Sequence, residues 1–284
     1  MQQSPISFKA VLFSLLFSVL ITGILFIYFL TDNRTKIVFC DVGQGDGAYI
    51  RIENKVDVII DAGPDNGMML SCLGKYMPFF DKQIEIAILS HPQSDHYGGL
   101  KSIINRYQIR NLYISDRKNL DKSISRIFQT VQKHNGIISI IRAGENITVL
   151  NSCFSFFWPP SYLVDAMGIS SIKNSDDNVY SSVFLFKENN NSVLFTGDTP
   201  SSLLTSVVKN TNVSASILKV SHHGSLNGTS RNFVSLAHPS LAVISVGKKN
   251  TYGHPSKQVL DIFKALKIPV RRTDKEGDVI IRLP

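Results

Sequence analysis

From Lys36 onward, a dozen short apolar, β-branched runs alternate with helix-like stretches, and this alternation constrains the fold more than any other feature. The runs are KIVFCDV (36–42), GAYIRI (47–52), VDVIID (56–61), IEIAILSH (84–91), NLYIS (111–115), IISIIR (137–142), FSFFW (154–158), SVFLF (182–186), SVLFTGD (192–198), SILKVSH (216–222), LAVISV (241–246) and VIIRL (279–283). Between them MLSCLGKYM, GLKSIINRY, KSISRIFQTVQKH and KQVLDIFKALK read as helices. The last carries apolar residues at i, i+3 and i+4 behind the N-cap candidate Ser256. A dozen strands exceed what one ordinary sheet holds. The pattern therefore predicts an α+β protein with two packed sheets covered by helices, a four-layer αββα sandwich.

With 43% hydrophobic and 18% charged residues over 284 positions, the chain has ample material for a core, which excludes disorder and fibre architectures. No linker composition divides the region after residue 35, so one domain is expected over 35–284. Cys40, Cys72 and Cys153 are odd in number and lack CxxC spacing, which excludes a disulfide scaffold or an all-cysteine zinc site and leaves the redox compartment open.

Residues 10–30, AVLFSLLFSVLITGILFIYFL, contain no charge. At about 1.5 Å per residue such a helix covers roughly the 30 Å hydrocarbon core of a bilayer. A cleaved signal peptide fits less well, because the apolar run is long and IYFLTDNRTK offers bulky residues where a peptidase needs small ones. The predicted organisation is a tail (1–9), one transmembrane helix (10–30), a linker (31–34) and the body. Flanking charge barely orients the span; the short tail favours a body on the extracytoplasmic side. The first 32 residues hold one Lys and one Asp, so the whole net charge of +8 belongs to the body and favours a polyanionic partner.

The placement of the seven histidines carries the chemistry. In AILSHPQSDHYGGL an apolar run ends and His91, Asp95 and His96 follow at once. Adjacent Asp95 and His96 share no face of a regular element, so a loop is expected to aim both at one point. ILKVSHHGS delivers His222 and His223, and SVLFTGDTP delivers Asp198 past a glycine. Each residue alone suits a turn or a helix cap. Together, at the ends of three strands, they read as metal ligands.

HPQSDH followed by GG resembles the HxHxDH signature of the metallo-β-lactamase superfamily. FCDVGQGDGAYI, IIDAGP, the WPP at 158–160, Asn178 with Ser181, LKVSHHGS, ISVGKKNTYGHP and RRTDKEG extend the likeness over about residues 35–284. Together they resemble the C-terminal metallo-β-lactamase-like domain of ComEC-type DNA-internalisation (competence) proteins. In that family the domain follows a polytopic channel. This chain, with its single apolar span, resembles a standalone membrane-tethered relative.

The resemblance implies Asp95, His96 and His222 as ligands of one metal, with Asp198 beside or bridging it and His91 serving a neighbouring position. There the chain departs from the superfamily. Gln93 replaces the second histidine, and no histidine but His134 lies between His96 and Asp198, leaving Asn178 the nearest candidate for the middle ligand. Mixed nitrogen and oxygen ligation suits one or two divalent ions, Zn or Mn. A dication activates water and stabilises charge on a phosphoryl oxygen. Asp95 or Asp198 would orient the nucleophile and His254 donate a proton to the leaving oxygen or hold a phosphate, while Asp46, Ser225, Asn250 and Tyr252 line the pocket. Lys219, three positions before His222 in a strand, is expected to face away in a structural role.

The expected function is a membrane-tethered, metal-dependent phosphodiesterase, a nuclease acting on single- or double-stranded DNA. The alternatives are hydrolysis of another phosphodiester such as an envelope polymer, and a non-catalytic nucleic-acid-binding docking module of a competence-type apparatus.

Overall fold

The computed structural model describes residues 7–31, 34–115, 121–165 and 177–283; residues 1–6 of the expected tail and 32–33 of the expected linker fall outside these. In chain order the strands are β1 (Lys36–Phe39), β2 (Gly47–Ile52), β3 (Val56–Ala62), β4 (Gln83–Leu89), β5 (Gln108–Ile114), β6 (Ile137–Ile140), β7 (Asn146–Val149), β8 (Ser152–Trp158), β9 (Val183–Glu188), β10 (Asn191–Phe195), β11 (Ile217–Lys219), β12 (Leu241–Ile244), β13 (Val270–Arg272) and β14 (Val279–Arg282). They form two seven-stranded sheets, ordered β14-β1-β2-β3-β4-β5-β6 and β13-β12-β11-β10-β9-β8-β7. The dozen expected runs all contain strands. β7 and β13 were not anticipated, and they form the two edges of the second sheet.

Strand alternation sorts the apolar residues into three layers. Ile37, Phe39, Ile50, Ile60 and Ile88 of the first sheet meet Phe154, Phe156, Phe184, Phe186 and Phe195 of the second, forming the filling of the sandwich. Val38, Tyr49, Ile59 and Leu112 point the other way, onto Leu73, Leu100, Ile127 and Val131 of the covering helices. On the far side Leu194, Leu218, Ala242 and Ile244 pack against Leu204, Val208, Phe233 and Phe263. This is the predicted αββα arrangement, because period-2 strands buried on both faces need helices outside and a second sheet inside.

Several helices follow their local signals. Asp121 caps Lys122–Lys133 by accepting from the amides of Ser123 and Ile124, and Ser256 caps Lys257–Ala265 through the amide of Val259. Others do not. The helix expected over GLKSIINRY is confined to Leu100–Ile103, after which the chain turns into β5. Ser201–Thr211 and Arg231–Ala237 are helical despite many Ser, Thr and Val residues. Their Leu204, Val207, Val208, Phe233 and Val234 are buried against the second sheet, so tertiary packing overrides weak propensity.

Cys40, just after β1, is joined to Cys72 on helix Met68–Tyr76 by a disulfide with a Cα separation of 6.0 Å. Closing a loop of 32 residues stabilises a fold by about 2–4 kcal/mol. Cysteine spacing alone did not reveal this bridge.

Among the described residues no helix is long and apolar enough to cross a membrane. Phe8–Thr31 is helical, but its side chains are described only over residues 8–24. The predicted transmembrane span is therefore not established by the structure.

β3, β4 and β5 run parallel, as do β10, β11 and β12, so the carboxyl ends of both sets open at one end of the sandwich. Loops leaving parallel strands converge there, the usual place for a ligand site in such sheets.

Candidate metal centre

Three of those loops build the centre. After β4, Gln93 leads into one helical turn, Ser94–Tyr97, which carries both Asp95 and His96. A loop was expected here; a single turn of helix suffices because side-chain length brings the two groups to one side. After β10, Gly197 adopts φ +45°, and a Cβ there would lie 2.0 Å from Oγ of Ser181. That close approach lets the Ser181 hydroxyl accept from the Asp198 amide at 2.9 Å. After β11, His222 and His223 both take left-handed conformations, φ 49° and 53°, in the turn Ser221–Gly224. Consecutive left-handed residues aim the two rings apart.

Oxygen or nitrogen atoms of Asp95, His96, Asp198 and His223 all lie within 4.8 Å of one another. Nε2 of His96 is 3.4 Å from Oδ1 of Asp198, and Nε2 of His223 is 3.4 Å from Oδ2 of Asp95. The resemblance favoured His222, but His223 occupies the centre. His222 sits at its rim, Nε2 3.6 Å from Oδ2 of Asp198, with its side chain 27% exposed against 2% for His223.

Each central imidazole is held from behind. Nδ1 of His96 lies 2.9 Å from Oδ2 of Asp61, which also accepts from the Ser90 hydroxyl at 2.7 Å. Nδ1 of His223 lies 3.1 Å from the carbonyl oxygen of Ser245 and 3.1 Å from Oδ1 of Asp46. Both Nδ1 atoms are thus engaged, while Nε2 of His96, Nε2 of His223 and Oδ1 of Asp198 are buried without a hydrogen-bond partner. Buried polar atoms of this kind demand a partner. Two imidazoles anchored at Nδ1, with free Nε2 atoms converging on two carboxylates, form a donor set that fits a divalent cation.

Without a cation the charges pair among themselves. Burial pulls His223 down, but Asp198 and Asp46 outweigh it and the imidazole is pushed up to about 10. His96 likewise stands well above its usual range: burial opposes, but Asp198 and Asp61 prevail. Burial would raise Asp198, yet His96 and His223 hold it well below the ordinary carboxylate range. Asp95 is lowered too, against burial, by His223 and His96. Its side chain is 33% exposed, so it is the central group that reaches solvent.

The other predicted residues are distributed around this core. His91 is buried, its ring 4.1 Å from that of His96, and burial followed by the His96 charge lowers it, so it is neutral. Its Nε2 is also unpartnered. Nε2 of Gln93 donates to Oδ1 of Asn178 at 3.0 Å, so the two amides standing for the missing histidines bond to each other. Asp46 is buried behind His223 rather than lining a substrate pocket, and its partner is the equally buried Nζ of Lys219 at 2.6 Å. Lys219 thus faces inward, toward the centre. Asn250 ties its own loop, donating to the carbonyls of Gly247 and His254 and accepting from the His254 amide. The Ser225 hydroxyl accepts from the Asn227 amide. His254 lies with its ring 5.9 Å from His222 and 6.0 Å from the exposed Tyr252, and burial, then His222, lowers it.

The sequence did not single out Asp61, and it pointed to His222 for the centre, whereas in the structure His223 is grouped with Asp95, His96 and Asp198. Asp61 did leave a signal, since VIIDAG ends a strand on a carboxylate before glycine much as LFTGD does. No comparable signal distinguishes two adjacent histidines.

Comparison with known proteins agrees with this geometry. A family model for the metallo-beta-lactamase superfamily matches residues 40–148. ComE operon protein 3 of Bacillus subtilis is 26% identical over 276 residues, covering 91% of this chain and 34% of that protein. Recombination protein 2 of Haemophilus influenzae is 29% identical over 250 residues, covering 84% of this chain and 28% of its own length. The chain therefore spans about a third of these relatives. Zn(2+)-bound PqqB from Methylobacterium extorquens shares the fold with a TM-score of 0.58 at 12% identity, over 87% of this chain and all of that one. The αββα sandwich, the strand-end ligand set and these matches make the chain similar to the metallo-β-lactamase superfamily and, over about a third of their length, to competence proteins of the ComE operon protein 3 type.

Proposed function

We propose that the chain is a metal-dependent phosphodiesterase, a nuclease acting on DNA at a membrane surface. The observation that carries the metal-dependent reading is the convergence of His96, His223, Asp95 and Asp198 with buried Nε2 and Oδ1 atoms lacking any other partner. DNA as substrate is supported by the relationship to competence proteins and by a body that carries the whole net charge of +8.

His96, His223, Asp198 and Asp95 would hold one ion, and His91 with Gln93, Asn178 and Asp198 would furnish a weaker second position. Zinc or manganese suits this mixture, and zinc is the ion bound by the similarly folded PqqB. A bound dication lowers the pKa of water and stabilises charge growing on a phosphoryl oxygen. Asp95, the solvent-reaching carboxylate, orients the attacking water. His254, lowered and so neutral at the rim, would present a ring N–H to a phosphate or leaving oxygen as a hydrogen-bond donor. His222 and Tyr252 flank the approach, with Ser225 and Asn250 shaping the loops around it.

The organisation read from the sequence completes the proposal: a tail (1–9), a single membrane span (10–30), a linker (31–34) and a hydrolase body (35–284) on the extracytoplasmic side. The span is supported by the uncharged run and by the exposure of Val11, Leu12, Phe13 and Ile21 on all sides of the amino-terminal helix. The Cys40–Cys72 bridge supports an oxidising compartment.

The test is incubation of the full chain in detergent with labelled single- and double-stranded DNA and with bis-nitrophenyl phosphate, under Mn, Zn or chelator. Metal-dependent DNA cleavage is expected. Cleavage of the generic diester alone selects the envelope-polymer reading. The Gln93–Asn178 amide pair favours a second reading, a docking module that binds DNA without turnover; binding with no cleavage under any metal would select it.

A further inference from the structure

The end of the sandwich opposite the metal centre carries a combination of exposed groups that the hydrolase reading does not use. Phe79 and Phe80 follow Pro78 on the way into β4 and are 86% and 65% exposed, their rings edge to face at 5.3 Å. Beside them opens a groove of about 700 Å³ lined by Lys82, Arg106, Tyr107, Lys133 and His134. Lys82 joins the two features: its ammonium donates to the Phe79 carbonyl at 2.6 Å and lies 5.3 Å from the Tyr107 ring centre. Ile137 and Leu150 are also exposed, at 61% and 46%.

Sheet register places all of these at one end. Gln83 pairs with Gln108 at the amino ends of β4 and β5, and Ile137 begins β6 alongside. Leu150 sits in the β7–β8 turn, whose Asn151 donates to Glu53 in the β2–β3 turn at 2.7 Å. β1 begins at this same end, since Lys36 pairs with Arg51 near the close of β2 and β3 runs parallel to β4. The chain therefore enters the body here, directly after its apolar amino-terminal segment. Of the acidic groups nearby, Asp81 lies 3.6 Å from Arg51, a partner it shares with Asp57, Glu53 lies 3.7 Å from Lys55, and Glu85 accepts from the side-chain amide of Gln83 and the backbone amide of Asp57.

The geometry points to a membrane-docking face: the base of the sandwich seats on anionic phospholipid, with Phe79 and Phe80 entering the interface and Lys82, Arg106 and Lys133 receiving headgroup phosphates. Exposed aromatics flanked by cations are the chemistry that binds such a surface. β4, with its seven residues, puts about 23 Å between this base and His91, so a phosphate held in the groove is not the one presented to the centre. That separation favours lipid over substrate as the occupant, and it turns the metal centre away from the bilayer. The inference rests on the membrane-tether reading only for bringing the body to a bilayer.

The test uses the full chain on vesicles of phosphatidylcholine with or without phosphatidylglycerol, carrying lipids with a shallow quencher. Phe80→Trp reports contact, wild-type Trp158 supplies the baseline, and Leu226→Trp, in an exposed loop at the metal end, is the control. Quenching of the Phe80→Trp probe is expected on anionic vesicles, falling at least fivefold in 0.5 M salt and in the Lys82→Glu, Arg106→Glu, Lys133→Glu variant, with the Leu226→Trp probe unaffected. The salt arm holds if the triple variant fails to fold. Vesicle flotation without quenching would overturn docking and leave the tether. Quenching by a protein that high salt releases from vesicles would overturn the tether and support docking. A Phe80→Trp probe that responds to an oligonucleotide but not to anionic vesicles would overturn docking in favour of a nucleic-acid groove.

Discussion

Lys219 is tied to His223 through a single carboxylate: its Nζ lies 2.6 Å from Oδ2 of Asp46, whose Oδ1 faces Nδ1 of His223 at 3.1 Å. Burial alone would raise Asp46; Lys219, then His223, keep it strongly lowered and charged. A buried ammonium thus keeps a carboxylate ionised behind the ring that offers Nε2 to the centre.

Removing that support should weaken the centre without touching a ligand. Asp46→Asn is expected to lower metal affinity about 10–100-fold, the usual effect of losing a group that orients a ligating histidine. Lys219→Met strands a buried charge and should cost about 3–5 kcal/mol of stability, with Asp46→Asn in the same chain restoring part of it. Chelator competition and denaturant unfolding measure the two effects. A Lys219→Met loss below about 1 kcal/mol would show that this pair does not support the centre.

The two adjacent histidines should separate cleanly. His223→Ala and Asp198→Ala are expected to lose most bound metal by elemental analysis, whereas His222→Ala retains it and loses activity. Equal metal retention in the His222 and His223 variants would refute the geometric assignment.

The bonded amides of Gln93 and Asn178 supply no charge beside His91. Replacing Gln93 with Asp or His should break that bond and raise metal stoichiometry above that of the wild type, or raise activity. If neither moves, position 93 takes no part in metal binding.

The raised imidazoles set a pH dependence. Because His96 and His223 both lie above their usual value, a cation must displace two protons, so affinity should climb up to about 100-fold per pH unit near neutrality and flatten toward pH 10. In the metal-free chain these groups stabilise the fold fully below about pH 6.5, the unfolded histidine value. That stability is lost as pH rises through their folded values. Melting of the chelated protein should therefore decline from pH 6.5 to 10, while the loaded protein declines less. Affinity independent of pH would contradict the two-imidazole centre.

Local pattern determined much of this protein: a dozen strands, the capped helix behind Ser256, the αββα layering, and the strand-end placement of Asp95, His96 and Asp198, which the structure brings together. These features depend on period, on residue type and on strand-end position, which a linear sequence displays. Tertiary structure alone decided the rest. The choice of His223 over His222 depends on two successive left-handed residues. Asp61, Asp46 and Lys219 acquire their roles only when β3, the loop after β1 and β11 meet across the sandwich, Lys219 and Asp46 being 173 positions apart. β7, β13 and the helix Ser201–Thr211 form because neighbouring elements supply pairing and apolar cover that their own residues do not announce. The Cys40–Cys72 bridge likewise follows from where the first strand and the first covering helix of the body pack.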